Sequence, residues 1–376
     1  MNFDYNEDQL AFRDSLQKYL LSNYDFEKRQ AIANAPDAFS QNVWGQFAEL
    51  GWTYLPFAEE LGGFGGSAVD TMLLFEEFGK HLIVEPFLET VMLGGKILEA
   101  SDFSGKTELV ESVMSGATQL ALAHFEGAHY GSLDQVSTIA EAQGSGFKLS
   151  GKKTFVGNAV DANHFIISAK VDNKIGLFLM PSSVAGMTLT NYKTAHAKTA
   201  AELELKAVEL GQDALLVSGD EALALLRKVV DEATIAIVAE MVGAMEVLIE
   251  ATVEYSKDRE QFGQPIGKFQ VLQHMMADMF IAKELARSLM YAAAIKLRDG
   301  DDDASKYVSA AKAKVGVSAT QVAHYAVQIH GGIATTDELK IGHYLKRILV
   351  NNKLLGSVDY HLRRYKNLAK SSSTVK

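Results

Sequence analysis

A short turn between two long predicted helices could bind an anionic ligand. The segment DREQFG at 258–263 places an arginine, Arg259, and an aromatic side chain, Phe262, close together, and PIGKFQ at 265–270 follows directly. A guanidinium can hold a phosphate through two parallel hydrogen bonds, which makes Arg259 a candidate phosphate ligand. The alternative is a charged, solvated turn with aromatic packing, and the turn taken alone favours that alternative.

Neighbouring glycines occur at two places where a ligand could approach the backbone. Gly331 and Gly332 follow an apolar predicted helix, and they permit close approach by either a neighbouring helix or a ligand. Taken alone, this pair favours helix packing. The run LGGFGG at 61–66 has four glycines, but no strand precedes it as a Rossmann nucleotide loop requires, so a tight turn is favoured there.

Three of the carboxylates in a long helix, predicted to reach about Lys257, are candidates for a chemical role. Glu240 has apolar helix neighbours on nearly all sides. Such a buried carboxylate is either hydrogen-bonded within the fold or has a raised pKa and a chemical role, and the pattern favours the first interpretation. Asp231 and Glu232 lie about two turns earlier on the same helix.

The composition excludes several kinds of chemistry and of partner. The 376 residues include no cysteine, which removes disulfides, zinc–thiolate sites, iron–sulfur clusters and thiol catalysis. The ten histidines show no His-x-x-x-His spacing, and we expect no metal site. A formal net charge of −11 argues against general electrostatic binding to nucleic acid. No apolar run approaches the roughly 18 residues of a membrane span and no signal or transit peptide is evident, so we expect a cytoplasmic protein.

Hydrophobic periodicity divides the chain into helical, β and helical regions, and we expect domains at 1–118, 119–213 and 214–376. Helices are predicted at 7–23 and 69–81. Strands are predicted at 119–126, 137–142, 147–150, 164–170, 175–180 and 201–210, with a hairpin turn at 144–146. SGDE at 218–221 has capping-box spacing for the long helix. Further helices are predicted at 268–299, 302–330, 337–350 and 356–369.

Four segments in series resemble the acyl-CoA dehydrogenase family, and the resemblance extends over nearly the whole chain. They are LPFAEELGG at 55–63, LSGKKTFVGN at 149–158, REQFGQPIGKFQ at 259–270 and AVQIHGG at 326–332. The last two, in that order, are highly specific. Within the family the chain is most similar to the pimeloyl-CoA dehydrogenase small-subunit type, through YDFE at 24–27, VEP at 84–86 and GKFQVLQH at 267–274.

The resemblance implies an α+β fold with an N-terminal helical domain, a middle β-barrel or sandwich domain and a C-terminal four-helix bundle. It implies FAD, bound between the β domain and the bundle and completed by a second subunit. The implied reaction is α,β-dehydrogenation of an acyl-CoA, in fatty-acid or dicarboxylic-acid degradation, with electrons passed to electron-transfer flavoprotein. The implied assembly is a homodimer, a homotetramer or a heterotetramer with a paralogous subunit.

The family pattern also assigns site residues by position. Arg259 matches a ligand of the pyrophosphate of the partner subunit's FAD, and two β-domain segments match those that hold the isoalloxazine ring. Asp231 and Thr234 match positions near the acyl-CoA substrate. The cofactor-binding candidates are Leu122, His124, Phe125, Phe155, Val156, Gly157, Arg259, Phe262, Phe269, Gln270, Gln328, Gly331, Gly332, Ser357 and Asp359.

The chain departs from the family pattern at the flavin and at the catalytic base. Phe125 and Phe155 stand where the family usually has a flavin-bonded Thr and a Trp. Leu355 replaces the usual catalytic Glu, and Ala233 occupies the other known base position, on the long helix. Both base positions are therefore empty. The backbone N–H of Leu355 can still polarise a thioester oxygen.

The empty base positions leave three hypotheses open. In the first, the chain is an enzyme with Asp231 or Glu232 as a relocated base, although Glu232 lies one residue, or about 100°, away from Ala233 around the helix. In the second, it is a subunit that is silent alone and completes the FAD sites of a base-bearing paralogue. In the third, it is a flavoprotein of this fold with other oxidative chemistry. The vacancies favour the second, and the retained cofactor motifs favour the first.

Overall fold

The computed structural model describes residues 5–35, 39–127 and 131–374, and helical elements precede the sheet in the sequence. They are α1 (Glu7–Asn23), α2 (Phe26–Asn34), α3 (Gln41–Glu49), α4 (Ala68–His81), a π-helix (Leu88–Gly95), α5 (Lys96–Glu99) and α6 (Lys106–Met114). Capping boxes begin α1 and α4, because Asn6 pairs reciprocally with Gln9 and Ser67 with Asp70. These local signals explain why both helices start where they do.

Within the described residues, eight strands form one sheet in the middle of the chain. They are β1 (Leu120–Ala123), β2 (Ile139–Gln143), β3 (Gly146–Gly157), β4 (His164–Val171), β5 (Lys174–Pro181), β6 (Met187–Lys193), β7 (Thr199–Gly211) and β8 (Leu215–Ser218). The strands neighbour one another in the order β6-β7-β3-β2-β4-β5-β8, and β1 pairs in parallel with β4. Most residues of β4 and β5 are buried, and they share a hydrophobic core with inward-facing residues of β3 and β7.

Helices dominate the rest of the chain. They are α7 (Asp220–Asp258), α8 (Gln270–Arg298), α9 (Ala304–His330), α10 (Lys340–Asn351) and α11 (Val358–Thr374), and a ribbon of β9 (Glu260–Gln261) and β10 (Gln264–Pro265) separates α7 from α8. None of the helices in the described ranges is long and apolar enough to cross a membrane.

The residues cluster into two compact units. The helical unit comprises Met1–Gln30, Ser67–Ile83 and Thr234–Lys376. The sheet unit comprises Ala31–Gly66 and Val84–Ala233. The long helix α7 contributes residues to both units, with the change between Ala233 and Thr234.

The order of elements confirms the predicted fold class. The hairpin turn at 144–146 is confirmed, since Gln143 pairs with Gly146 across it. The tight-turn interpretation of 61–66 is also confirmed. There the N–H groups of Gly63 and Gly66 donate to the carbonyl oxygens of Ala58 and Leu55 at 3.0 and 2.8 Å.

The capping box predicted at 218–221 is wrong. Ser218 ends β8, where it pairs with Gly176, and α7 begins only at Asp220. The sequence pattern also fails to predict β6 and β8. Strand β6 has no buried residue and β8 has only four residues, so neither gives the apolar signal of a buried strand.

In the helical unit, α4 and α7 cross with their backbones in contact. A Cβ atom added at Gly79 would lie 2.0 Å from the carbonyl oxygen of Glu240, and one added at Gly243 would lie 1.9 Å from that of Glu76. Backbone atoms cannot move aside at these distances, so the crossing requires glycine at both positions.

A buried arginine joins this crossing to α10. Arg347 donates from Nη1 to Oε1 of Glu240 at 2.8 Å, and from Nη2 to the carbonyl oxygens of Ile83 and Leu82 at 2.7 and 3.2 Å. The last two carbonyls follow the C-terminus of α4, so one guanidinium connects three helices. The hydrogen-bonded, structural interpretation of Glu240 is therefore confirmed.

Replacement of Arg347 with Met should lower the free energy of unfolding by about 3–5 kcal/mol, because it leaves the buried carboxylate of Glu240 without its cation. Urea denaturation would measure this loss. Lys346→Met is the matched control, since Lys346 is exposed and its ion pair with Asp337 should contribute less than about 1 kcal/mol. Equal losses in the two variants would contradict the structural role of Arg347.

Candidate cofactor and substrate site

The ribbon between α7 and α8 presents predicted cofactor residues to solvent. Phe262 has a φ of 56° and is 92% exposed, and its ring makes an edge contact with Phe269 at 6.0 Å between centroids. Arg259 is exposed, and none of the described residues pairs with its guanidinium. Both side chains are therefore free to contact a ligand or another chain.

The glycine pair after α9 also faces open space. Gly331 has a φ of 69°, which favours glycine. Apart from adjacent residues and the local helix backbone, no atom of the described chain lies within 4 Å of a Cβ added at Gly331 or Gly332. The helix-packing interpretation therefore finds no neighbour within the described ranges, and the open backbone suits a ligand or a second subunit. Gln328, on the last turns of α9, and Gln270, at the start of α8, are exposed as well.

In the sheet unit, the two predicted flavin segments lie side by side. The N–H of Thr154 donates to the carbonyl oxygen of Phe125 at 2.8 Å, which ties β3 to the residues after β1. Phe155 follows in a β-bulge with a φ of 51°, a conformation that costs energy for a residue other than glycine. Leu122 and Val156 are buried. Contacts from these two residues to a cofactor would therefore come mainly from the backbone.

A buried polar network supports these two segments. Nζ of Lys153 donates to Oε1 of Glu126 at 2.6 Å and to Oγ of Ser168 at 3.0 Å. The same Ser168 hydroxyl lies 2.9 Å from Nδ1 of His124. Thr138 donates to Glu126 from both its N–H and its hydroxyl. The network thus links residues 124 and 126 to residue 153, on either side of the bond between the segments.

The charges in this network shift one another's pKa values. Burial lowers the pKa of His124 to about 4, so its ring is neutral near pH 7. Burial lowers the pKa of Lys153 to about 8. Burial alone would raise the pKa of Glu126. The charge and hydrogen bond of Lys153, together with two hydrogen bonds from Thr138, instead hold this pKa at about 2. Because the His124 side chain is engaged here, only its backbone is available for the predicted cofactor contact.

Glu89 is a carboxylate near the flavin segments that the sequence patterns do not identify. A Cβ atom added at Gly157 would lie 3.0 Å from Cγ and 3.3 Å from Oε1 of Glu89. Oε2 of Glu89 lies 3.5 Å from Nζ of Lys198. Glu89 lies on the π-helix, whose extra residue per turn displaces side chains from a 3.6-residue pattern. That displacement explains why periodicity gives no signal for it.

Leu355 lies in the turn between α10 and α11. It is buried and has a φ of 55°, and its N–H has no acceptor within the described chain. Ser357 accepts the N–H of Tyr360 at Oγ, at 3.3 Å, and so caps the start of α11. Asp359, in the first turn of α11, is exposed. The vacant base position is thus a buried backbone turn with a free N–H donor.

The carboxylates near the other base position lie on α7. Asp231, Ala233 and Thr234 are buried and Glu232 is half-buried. Burial raises the pKa of Glu232, against the lowering effect of Lys96. A raised pKa brings a carboxyl group closer to the range in which a general base works near neutral pH.

Two family models match the chain. "Acyl-CoA dehydrogenase, N-terminal domain" matches residues 6–116, and "Acyl-CoA dehydrogenase, C-terminal domain" matches residues 223–367. A similar protein is "Probable acyl-CoA dehydrogenase YngJ" of Bacillus subtilis, 27% identical over 92% of this chain and 93% of its own length. Together the two family models cover the helical regions on either side of the sheet.

Solved structures share the fold along almost the entire chain. The FAD complex of PigA superposes with a TM-score of 0.90 at 24% identity, over 98% of each chain. A chain of the ChsE4-ChsE5 complex from Mycobacterium tuberculosis superposes with a TM-score of 0.86 at 24% identity, again over 98% of each chain. At this identity the likeness establishes the fold and leaves the chemistry to the residues themselves.

Replacement of Glu126 with Gln should weaken the acid dependence of stability. The folded-state pKa of about 2 lies below the value of roughly 4.3 for an unfolded Glu. Ionised Glu126 therefore stabilises the fold fully above about pH 4.3, and that contribution is lost as the pH falls towards about 2. Urea unfolding between these pH values should show a steeper loss for wild type than for Glu126→Gln. The exposed control Glu141→Gln should keep the wild-type slope; equal slopes in all three proteins would contradict the prediction.

Proposed function

Because the chain belongs to the acyl-CoA dehydrogenase family of FAD-dependent oxidoreductases, we propose that it takes part in the α,β-dehydrogenation of an acyl-CoA thioester. We further propose that it is of the pimeloyl-CoA dehydrogenase small-subunit type and that electrons pass to an electron-transfer flavoprotein. The division into domains at 1–118, 119–213 and 214–376 is part of the same proposal.

The observation that carries the proposal is that residues of the cofactor motifs are exposed and make few contacts within the described chain. Arg259 is exposed and unpaired, Phe262 is almost fully exposed, and Gly332 faces open space. Folding alone favours burying an aromatic ring and gives no reason for an open glycine at a normal φ. A ligand or second subunit supplies that reason.

The residues present fit FAD. A free guanidinium at Arg259 suits a pyrophosphate, and the exposed glycine backbone permits close approach of a cofactor. The half-buried ring of Phe155 provides apolar surface for a flavin, whereas Phe125 is buried and would offer mainly its backbone. When bound, FAD would supply an acceptor for the β-hydride of the substrate.

The chain itself would bind and polarise the substrate at Leu355. The buried N–H of Leu355 has no acceptor within the described ranges, and a thioester oxygen placed there would accept its hydrogen bond. Polarisation of that oxygen acidifies the α-proton. Glu232 and Asp231 are our candidates for the base, because they lie beside Ala233, the alternative base position on α7, and burial raises the pKa of Glu232.

A second candidate function is that of a silent subunit in a heteromer. The observation that favours it is the empty base at both Leu355 and Ala233, since a missing positioned base costs on the order of 10²–10⁴ in rate. A solved structure with the same fold is that of the ChsE4-ChsE5 complex, which has two different chains. A paralogue carrying a catalytic Glu would then perform the proton transfer, while this chain completes the FAD site.

Replacement of Arg259 with Ala should weaken FAD binding. A charge-assisted hydrogen bond contributes about 1.5–3 kcal/mol, so the Kd of FAD should rise roughly 10- to 150-fold. Absorbance of bound flavin after dilution and gel filtration measures the occupancy, and the melting temperature of the apoprotein should not change because Arg259 is exposed.

Arg363→Ala is the control, because Arg363 is an exposed arginine on α11. If Arg259→Ala retained all of its flavin, Arg259 would not be a ligand of FAD. A wild-type protein that takes up no FAD, alone or with a base-bearing paralogue, would contradict the cofactor assignment itself.

Replacement of the relocated base should abolish turnover while FAD stays bound. With a panel of acyl-CoAs and an artificial electron acceptor, Glu232→Gln should lower kcat by roughly 10²–10⁴. Asp231→Asn and Glu89→Gln test the other nearby carboxylates. The exposed Glu108→Gln variant, also in the sheet unit, is the control for the amide substitution.

The outcomes separate the hypotheses. Wild-type activity that only one substitution removes identifies that carboxylate as the base. Activity that appears only after a base-bearing paralogue is added supports the silent subunit. An FAD-loaded protein that oxidises no acyl-CoA under either condition would favour a flavoprotein with other oxidative chemistry.

A further inference from the structure

Lys312 is a fully buried lysine that points at the turn carrying Leu355. It lies on α9, and its Nζ donates to the carbonyl oxygens of Asn351 at 2.7 Å, Leu354 at 2.9 Å and Gly356 at 3.3 Å. No carboxylate of the described chain pairs with it. An ammonium group has three N–H donors, so the three carbonyls use all of them.

A histidine holds the remaining carbonyl of the same turn. His361 on α11 is buried, and its Nε2 lies 3.1 Å from the carbonyl oxygen of Leu355. Since a carbonyl oxygen only accepts, Nε2 carries the proton and Nδ1 does not. Burial and the nearby charge of Lys312 lower the pKa of His361 to about 3, which keeps the ring neutral.

These contacts fix the direction of three consecutive peptide groups. The carbonyls of Leu354, Leu355 and Gly356 are all held by side chains of α9 and α11. The N–H of Leu355 is the donor left without an acceptor within the described residues, and its φ of 55° belongs to the left-handed region. The N–H of Leu355 shares a planar peptide group with the carbonyl of Leu354, so the hydrogen bond from Lys312 to that carbonyl also fixes the direction of the N–H.

Packing alone does not explain a lysine at this position. A Met or Leu side chain would fill a similar volume without desolvating an amine, which is costly. Burial and the nearby charge of Lys353 together lower the pKa of Lys312 to about 7, so keeping the ammonium form at this site is costly. The three hydrogen bonds to the turn are the contacts that offset this cost.

We propose that Lys312 is a positioning residue for the substrate: it holds the carbonyl groups of Leu354 and Gly356 so that the N–H of Leu355 stays directed at the thioester oxygen. This inference rests on the proposed function. Lys312 does not itself touch the substrate, and its effect on the reaction passes through the backbone of the turn.

The test measures polarisation of the thioester directly. Butanoyl-CoA labelled with ¹³C at the carbonyl is bound to the FAD-loaded protein, and difference infrared spectroscopy records the carbonyl stretch. In wild type we expect a shift to lower frequency than in water. In Lys312→Met most of that shift should disappear, and kcat should fall by roughly 10²-fold with little change in KM, as for loss of one oxyanion-hole donor.

Two further variants separate positioning from general damage. Lys314→Met makes the same change at an exposed position of α9 and should keep the wild-type shift. Lys312→Gln retains an amide with two N–H donors and should restore part of the shift, and it remains informative should Lys312→Met fail to fold.

The results discriminate between this inference and the proposed function. A full wild-type shift in both Lys312 variants would overturn the positioning role while leaving the proposed function intact. A thioester carbonyl that vibrates in the wild type as it does in water would overturn the role of the Leu355 N–H as well. The flavin content of the same samples reports independently on the cofactor.

Discussion

The contact between α4 and α7 is the constraint on which the helical unit depends. Glycines at positions 79 and 243 bring the two backbones together, and this approach leaves Glu240 buried on α7. Arg347 then satisfies the carboxylate and the carbonyls that follow α4 with a single guanidinium. Because Arg347 lies on α10, the crossing also fixes the helix that leads into the turn at Leu355.

The turn after α10 is therefore fixed both through the helix that precedes it and through its own carbonyl groups. Arg347 anchors the helix before it, and Lys312 and His361 anchor its carbonyls from α9 and α11. A second contact with α9 forms at Gly316, whose carbonyl oxygen accepts a hydrogen bond from Asn352 at 3.3 Å. A peptide group with so many fixed neighbours is preorganised, which is what stabilisation of a developing oxyanion requires. This rigidity survives although the side chain of Leu355 can perform no acid–base chemistry.

Sequence reasoning reached most of the fold because its signals are local. α1 begins and ends where the periodicity of 7–23 predicts, and the Gly144-Ser-Gly146 hairpin follows from turn chemistry. It missed what depends on tertiary context. Strand β6 exists because β7 pairs with it, and Ser218 joins β8 instead of capping α7 because Gly176 pairs with it. A local capping pattern cannot reveal that Ser218 pairs with Gly176, which lies 42 residues earlier in the sequence.

The same limit applies to the site. The resemblance to the family identified Arg259 and the glycine pair, because both lie in specific sequence motifs. Lys312 was not identified, because a lysine in a helix is usually interpreted as a solvated side chain. Glu89 was not identified, because the π-helix displaces it from a 3.6-residue pattern. Their roles depend on carbonyls or on a glycine brought close by folding. Buried polar residues of this kind become visible only when hydrogen-bond partners can be counted.

The environments of the buried carboxylates bear on where a base can reside. The cation Lys153 lies 2.6 Å from Glu126 and holds its pKa at about 2, so Glu126 has little tendency to take a proton near neutral pH. Glu240 is occupied by Arg347. Glu232 differs, because burial outweighs the influence of Lys96 and raises its pKa. Removal from water raises the pKa of a carboxyl group towards the range of a working general base, provided that burial outweighs the nearby cations, and on α7 the pKa of Glu232 is shifted in that direction.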